Sequence, residues 1–221
     1  MSEFAAGPAG RIERVRALMV ERGYDAIVVR DEANLRWLTG VKGVFDYTFE
    51  FPHAAFITAD QCLFHTDSRY LNSFEENTPA GSPWVYDMDE GTIPGWVAGK
   101  IAANKCRVCA VEDDMQINFY QGIQRGLEDR SVACMLPLMH DDIRKMRAIK
   151  DAEEIELMRH AQSITDAAFQ HMLGFIKPGM TEKQVRNELE NFMFANGADS
   201  LAFGSIVASG PNTCLLYTSD A

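Results

Sequence analysis

The chain has 221 residues, 47% apolar and 24% charged, with a formal net charge of −11, an ordinary globular composition. Its Lys and Arg residues are scattered singly, which disfavours a nucleic-acid partner and an anionic membrane surface, and no apolar stretch approaches the ~20 residues that span a bilayer. Met1 to Gly10 lack the basic and apolar regions of a secretory signal and read as a frayed terminus; with five cysteines read as thiols, a cytoplasmic location is expected.

In chain order, Ile12, Val15, Leu18 and Met19 recur at helical spacing, and Gly23 follows as a stop. Ala26 to Val29 is a compact apolar strand, and Asn34 to Leu38 a short helix ended by Gly40. His53 to Thr58 and Cys62 to Thr66 read as two strands of a hairpin turning at Ala59-Asp60-Gln61, a turn without glycine. Trp84 to Asp87, Cys106 to Val111 and Val132 to Leu136 supply further strands, with helices at Trp96 to Ala103 and Phe119 to Leu127. This alternation predicts an α/β domain over residues 1–140.

From residue 142 the texture changes. Asp142 to Lys150 is charged, and Asp151 with Glu154 has the spacing of a capping box. The helix it opens carries an apolar stripe of Ile155, Met158, Ala161, Ala168, Met172 and Phe175 and ends before Pro178-Gly179. Thr181 and Gln184 make a second capping box for a helix running to Gly197, and Leu201 to Ala208 reads as a strand. Helix, helix, strand is only the opening of an α+β domain, expected over 142–213.

Several residue groups invite a chemical reading. Cys106 and Cys109 lie in one predicted strand, where odd spacing points them to opposite faces, so core thiols are expected rather than a zinc site. His53 and His65 could face each other across the hairpin, with Asp67 on the face of His65. A metal site there needs one particular register; otherwise these are sheet residues, and Asp67 caps the helix containing Tyr70 and Leu71. His160 and His171, eleven residues apart on one helix, share a face but sit ~16 Å apart and cannot hold one ion. Glu153, Glu154 and Glu156 suit a helix N-terminus electrostatically. The sequence offers no phosphate loop, nucleophile elbow or zinc-protease helix, and no catalytic, cofactor-binding or metal-ligating set.

The stretch Ile149 to Met158, the segment Ile176-Lys177-Pro178-Gly179-Met180-Thr181-Glu182 and the segment Ile206 to Asn212 together resemble the start of the catalytic domain of the creatinase, aminopeptidase P and prolidase family, the pita-bread metallopeptidases. Asn34 to Gly40 and Asp67-Ser68-Arg69-Tyr70 are similar to marker segments of that family's N-terminal domain. The resemblance runs from about Arg11 to Asn212 in the family's order.

It implies a creatinase-like N-terminal α/β domain followed by an incomplete pita-bread domain, from a cytoplasmic Xaa-Pro aminopeptidase or proline dipeptidase. Two divalent ions (Mn²⁺, Co²⁺ or Zn²⁺), a peptide substrate with proline second, and a homodimer are implied for the parent. The family's five metal ligands lie downstream of Asn212, so the 221-residue chain is expected to be an inactive fragment. Creatine amidinohydrolysis or a lyase reaction on the same scaffold, or a non-catalytic binding role, are the alternatives. Residues 214–221 depart from the family pattern. Cys-Leu-Leu-Tyr-Thr-Ser is the translation of a transposon end used in sequencing libraries, so this tail is expected to be non-native.

Overall fold

The computed structural model describes residues 7–41, 52–88 and 91–216. The chain divides into two compact units, Met1–Ile149 and Lys150–Ala221. The division falls later than the expected 140/142 boundary because the charged stretch after His140 forms a helix that joins the first unit.

In that unit α1 (Gly7–Arg22) buries Ile12, Val15, Leu18 and Met19, the stripe read from sequence. The helix takes in Gly7 to Gly10, expected to fray, whereas residues 1–6 lie outside the described residues. Strand β1 (Ala26–Val29) is fully buried and leads into α2 (Glu32–Thr39), capped by Asp31, whose side chain accepts from the Asn34 backbone. At the other end Gly40 has φ +67° and a Cβ there would come 2.7 Å from Pro8, so both backbone and packing demand glycine. Two late carbonyls of α2 find distant donors: Arg11 donates to Trp37 O at 2.7 Å and Trp84 Nε1 to Leu38 O at 3.1 Å. The Asn34–Gly40 segment is thereby a helix tied at both ends.

Strands β2 (Ala54–Thr58) and β3 (Cys62–His65) pair antiparallel. The glycine-free turn is held by Thr58, whose hydroxyl donates to Asp60 at 2.7 Å and accepts from Gln61 N at 3.0 Å. Then follow α3 (Leu71–Asn77), β4 (Val85–Asp87), α4 (Ile93–Ala103), β5 (Cys109–Val111), α5 (Ile117–Glu128) and α6 (Asp142–Ala148). The sheet order is β4-β3-β2-β1-β5, with β1/β5 and β3/β4 parallel and the inner pairs antiparallel. One face packs against residues of α1, α2 and α6, among them Ile12, Leu35, Leu38 and Ile143; the other packs against Trp96, Ile101, Phe119 and Ile123 of α4 and α5.

Two strands fall short of expectation. Val132 to Leu136 makes a single isolated parallel bridge, Val108 with Met135, and a second, Val111 with Leu138, falls just beyond it; Pro137 between them has no N–H to donate. Cys106 precedes β5 rather than lying in it, so strand alternation does not apply. Cys106 and Cys109 are buried in the same core cluster, not on opposite faces.

In the second unit α7 (Ala152–Phe175) and α8 (Glu182–Ala195) begin with the two capping boxes foreseen, Asp151/Glu154 and Thr181/Gln184. Of the α7 stripe only Ala168 and Met172 are buried; Met158 is 57% exposed. Leu201 to Ala208 is irregular rather than a strand, since a strand needs a neighbour and the described residues of this unit contain none. The Glu182 carboxylate accepts from Ser209 N at 2.7 Å and from Asn212 Nδ2 at 2.9 Å. A 3-10 turn, Gly210–Leu216, follows; residues 217–221 of the proposed non-native tail lie outside the described residues.

Candidate functional site

One cluster of buried polar residues in the first unit, Asn34, Glu112 and Asp142, lies at the carboxyl ends of the adjacent parallel strands β1 and β5. After β1 the chain turns into α2 on one sheet face; after β5 it runs into α5 on the other. A crevice opens where neighbouring parallel strands send their helices to opposite faces. Its floor is Glu112, only 5% exposed. That carboxylate accepts from Arg30 N at 2.5 Å, Asp31 N at 2.8 Å and Asn34 Nδ2 at 2.7 Å. Arg147 of α6 donates to Asn34 Oδ1 at 2.8 Å and lies 3.6 Å from Asp31. Burial pushes the Glu112 carboxyl up to about 7, against the opposing pull of these donors.

The cavity at this place has a volume of about 340 Å³, with Glu112, Asp113, Asp114, Asp141, Asp142 and Arg144 among its walls. Asp113 fixes the far wall by accepting from Asp141 N at 2.8 Å, holding His140 and Asp141 at positive φ, 54° and 59°.

The candidate histidines do not converge. The hairpin register pairs Ala54 with His65, so His53 falls one residue away, opposite Thr66, and the two side chains leave opposite faces. His53 is packed among Phe64, Tyr70 and Phe74, with ring centroids 5.1–5.7 Å away, and burial lowers its pKa to about 4. His65 stands at 5.0 Å from the Trp96 ring on the other face. Asp67 does not cap α3, which has Tyr70 at its N-cap; it pairs with Arg69 at 2.7 Å. In the second unit His171 Nε2 lies 2.7 Å from Glu188, while His160 is exposed. Among the described residues no group of three or more His, Cys, Asp or Glu side chains could hold a metal ion, and no helix is long and apolar enough to cross a membrane.

Sequence reasoning missed Glu112. Its three partners are 78–82 residues away in the chain, and the only local signal is a carboxylate directly after an apolar strand.

Comparison with known proteins assigns the chain to a family. The family model for the creatinase/prolidase N-terminal domain matches residues 11–149. The chain belongs to the creatinase/prolidase family. Residues 156–221 match metallopeptidase family M24, consistent with a creatinase-type N-terminal domain leading into the start of a pita-bread domain. An uncharacterised peptidase of Bacillus subtilis, YqhT, is 30% identical over 212 residues, 93% of this chain and 54% of that protein. The structure of an Xaa-Pro dipeptidase from Bacillus anthracis superposes with a TM-score of 0.79 at 30% identity, covering 93% of this chain and 54% of its own. An X-Pro aminopeptidase from Thermotoga maritima gives 0.74 at 27% identity, with 92% and 54% covered. The chain thus spans about half the length of these creatinase/prolidase relatives.

Proposed function

We propose that this chain is the first part of a metal-dependent peptidase cleaving next to proline, an Xaa-Pro dipeptidase or aminopeptidase, and that the ligands for its divalent ions are not among the residues present. The observation that carries this is the match of 93% of the chain to the Bacillus anthracis Xaa-Pro dipeptidase at a TM-score of 0.79. Family M24 similarity supports divalent ions in the whole protein, where they would activate water and polarise the scissile carbonyl. Proline's tertiary amide and fixed φ make such bonds poor substrates for general peptidases, which gives a dedicated enzyme its niche. The buried thiols Cys62, Cys106 and Cys109 suit a cytoplasmic protein, and a homodimer is part of the same reading.

The test compares the 221-residue chain with one extended past Thr213 by its natural sequence. Metal content after dialysis and turnover of Xaa-Pro peptides are measured on both. The short chain is expected to retain no stoichiometric Mn²⁺, Co²⁺ or Zn²⁺ and to show no turnover, and the extended one to gain both. Metal and turnover in the short chain refute the proposal. Metal without Xaa-Pro turnover in the extended chain points to a different reaction on the same scaffold.

A further inference from the structure

We propose that Glu112 is a proton-controlled latch on α6: ionised, it holds the last turn of that helix through Asn34 and Arg147, and protonated, it lets that turn go. Every residue involved belongs to the first unit, so the latch is independent of the peptidase reading. Glu112 is buried, and its two oxygens are held differently. Oε2 accepts from the backbone N–H groups of Arg30 at 2.5 Å and Asp31 at 2.8 Å. Oε1 accepts from Asn34 Nδ2 at 2.7 Å and has no other hydrogen bond among the described residues.

Two fixed backbone donors occupy Oε2, so a proton taken up by Glu112 settles on Oε1. There it meets the Asn34 N–H, donor against donor. The acid is accommodated when the Asn34 amide turns over and Oδ1 accepts the new O–H. In the ionised state that same Oδ1 accepts from Arg147 Nη1 at 2.8 Å. After the turn the guanidinium, which can only donate, faces an NH₂ group and the bond is lost. One proton at Glu112 is thereby exchanged for one hydrogen bond to α6.

The change is confined to the carboxyl end of α6. Its amino end is anchored separately: Ile143 is buried, Asp142 faces Arg22 and Lys145, and Asp141 N donates to Asp113. The last turn keeps partly buried Met146 and the 3.6 Å approach of Arg147 to Asp31, so it loosens without detaching. The charged groups around Glu112 are Arg30 and Asp31 between β1 and α2, Asp113 and Asp114 after β5, and Asp141, Asp142, Arg144 and Arg147 on the α6 side. His140 stands 3.8 Å from Asp113. Burial outweighs the three donors and, with the Asp31 charge nearby, carries the Glu112 carboxyl up to about 7, which sets the latch to work near neutrality.

Hydrogen exchange on the ¹⁵N-labelled 221-residue chain at pH 5.5 and 8.0 tests this. Protection factors remove the intrinsic pH dependence of exchange, and the amides of β1 and α5 serve as the reference for global stability. Relative to them, the amides of Met146, Arg147 and Ala148 are expected to be about fivefold or more less protected at pH 5.5. The Asn34 side-chain amide signal should move with a midpoint near 7. Glu112→Gln places an N–H donor where the acid would carry its proton, and should show the loosened turn at both pH values with no midpoint. Arg147→Met should also be loosened at both, while the Asn34 signal still titrates; this variant decides the matter if Glu112→Gln does not fold. Equal protection of the last turn at the two pH values in the parent would overturn the proposal. So would a pH dependence that persists in Glu112→Gln, which would assign it to His140, or one that persists in Arg147→Met.

Discussion

Glu112 and His53 should give the first unit two opposing pH dependences that a pair of substitutions can separate. Burial raises the Glu112 carboxyl from an ordinary 4.5 to about 7 and lowers His53 from 6.5 to about 4. At 1.36 kcal/mol per tenfold, each corresponds to roughly 3 kcal/mol between its two limits. For Glu112 the folded state holds its proton more tightly than the unfolded chain. Its stabilisation is complete below pH 4.5 and is lost as pH rises through 7. For His53 the unfolded chain holds the proton more tightly, so stability is complete above pH 6.5 and is lost as pH falls through 4. Between pH 4.5 and 6.5 the slopes are opposite and similar, about 1 kcal/mol per pH unit each, so the parent protein should show a near plateau from these two groups. Glu112→Gln leaves the histidine limb, and stability should then climb with pH across this window; His53→Phe leaves the carboxylate limb, and stability should decline. Urea denaturation at half-unit pH steps reads both, taken as differences from the parent so that common titrations cancel. Loss of packing or hydrogen bonds shifts each curve vertically without changing its slope. Variant profiles parallel to the parent, or tilted in the same direction, would refute the reasoning.

Other expectations are more local. Gly126 of α5 packs so closely on α4 that a Cβ would stand 2.7 Å from the Ala98 Cβ; Gly126→Ala should destabilise by about 1–3 kcal/mol, read as a lowered urea midpoint. Asp25 accepts from the backbone N–H groups of Arg107 and Val108 at 2.7 and 3.0 Å, which holds its pKa below the usual carboxylate range. Asp25→Ala should cost on the order of 1–2 kcal/mol. Residues 1–149 should unfold cooperatively alone, and shortening them to 1–140 should cost several kcal/mol. The shorter piece removes the partners of Arg22 and Asn34 on α6 together with the buried Ile143. Equal stability of the two pieces would return the boundary to 140.

Where the sequence was legible, the determinants were local. Asp151/Glu154 and Thr181/Gln184 cap their helices through residues three apart, and the unbroken apolar run of Ala26 to Val29, buried along its whole length, announces a central strand. Legibility failed where a distant partner or a one-residue offset decides. The relation of His53 to His65 turned on the hairpin register. Thr58 clasps that turn through its side chain, a geometry that the usual glycine signals do not announce. Leu201 to Ala208 has the composition of a strand, but pairing is not a property of one segment. Glu112 is the extreme case: every donor that makes it a site comes from the other end of the unit.

The two units differ in how far their apolar surface is satisfied, and this bears on what any unfolding experiment reads. In the first, both sheet faces are covered, and Phe56, Phe64, Phe74, Ile57 and Ile101 have no accessible surface. In the second, Leu157, Met158, Phe169, Leu173, Phe203 and Ile206 are each more than half exposed. Burying a side chain of this size is worth about 1.5–3 kcal/mol, so roughly 10 kcal/mol of possible stabilisation is not realised there. That is the whole stability of a typical domain. Helices α7 and α8 therefore rest on their caps, on the burial of Ala168 and Met172, and on His171, which stacks on Phe192 at 4.4 Å and pairs with Glu188. A sharp cooperative transition in the intact chain must then report the first unit. Glu112 and His53 both lie in that unit, which is why their opposing pH slopes should be visible without removing the second.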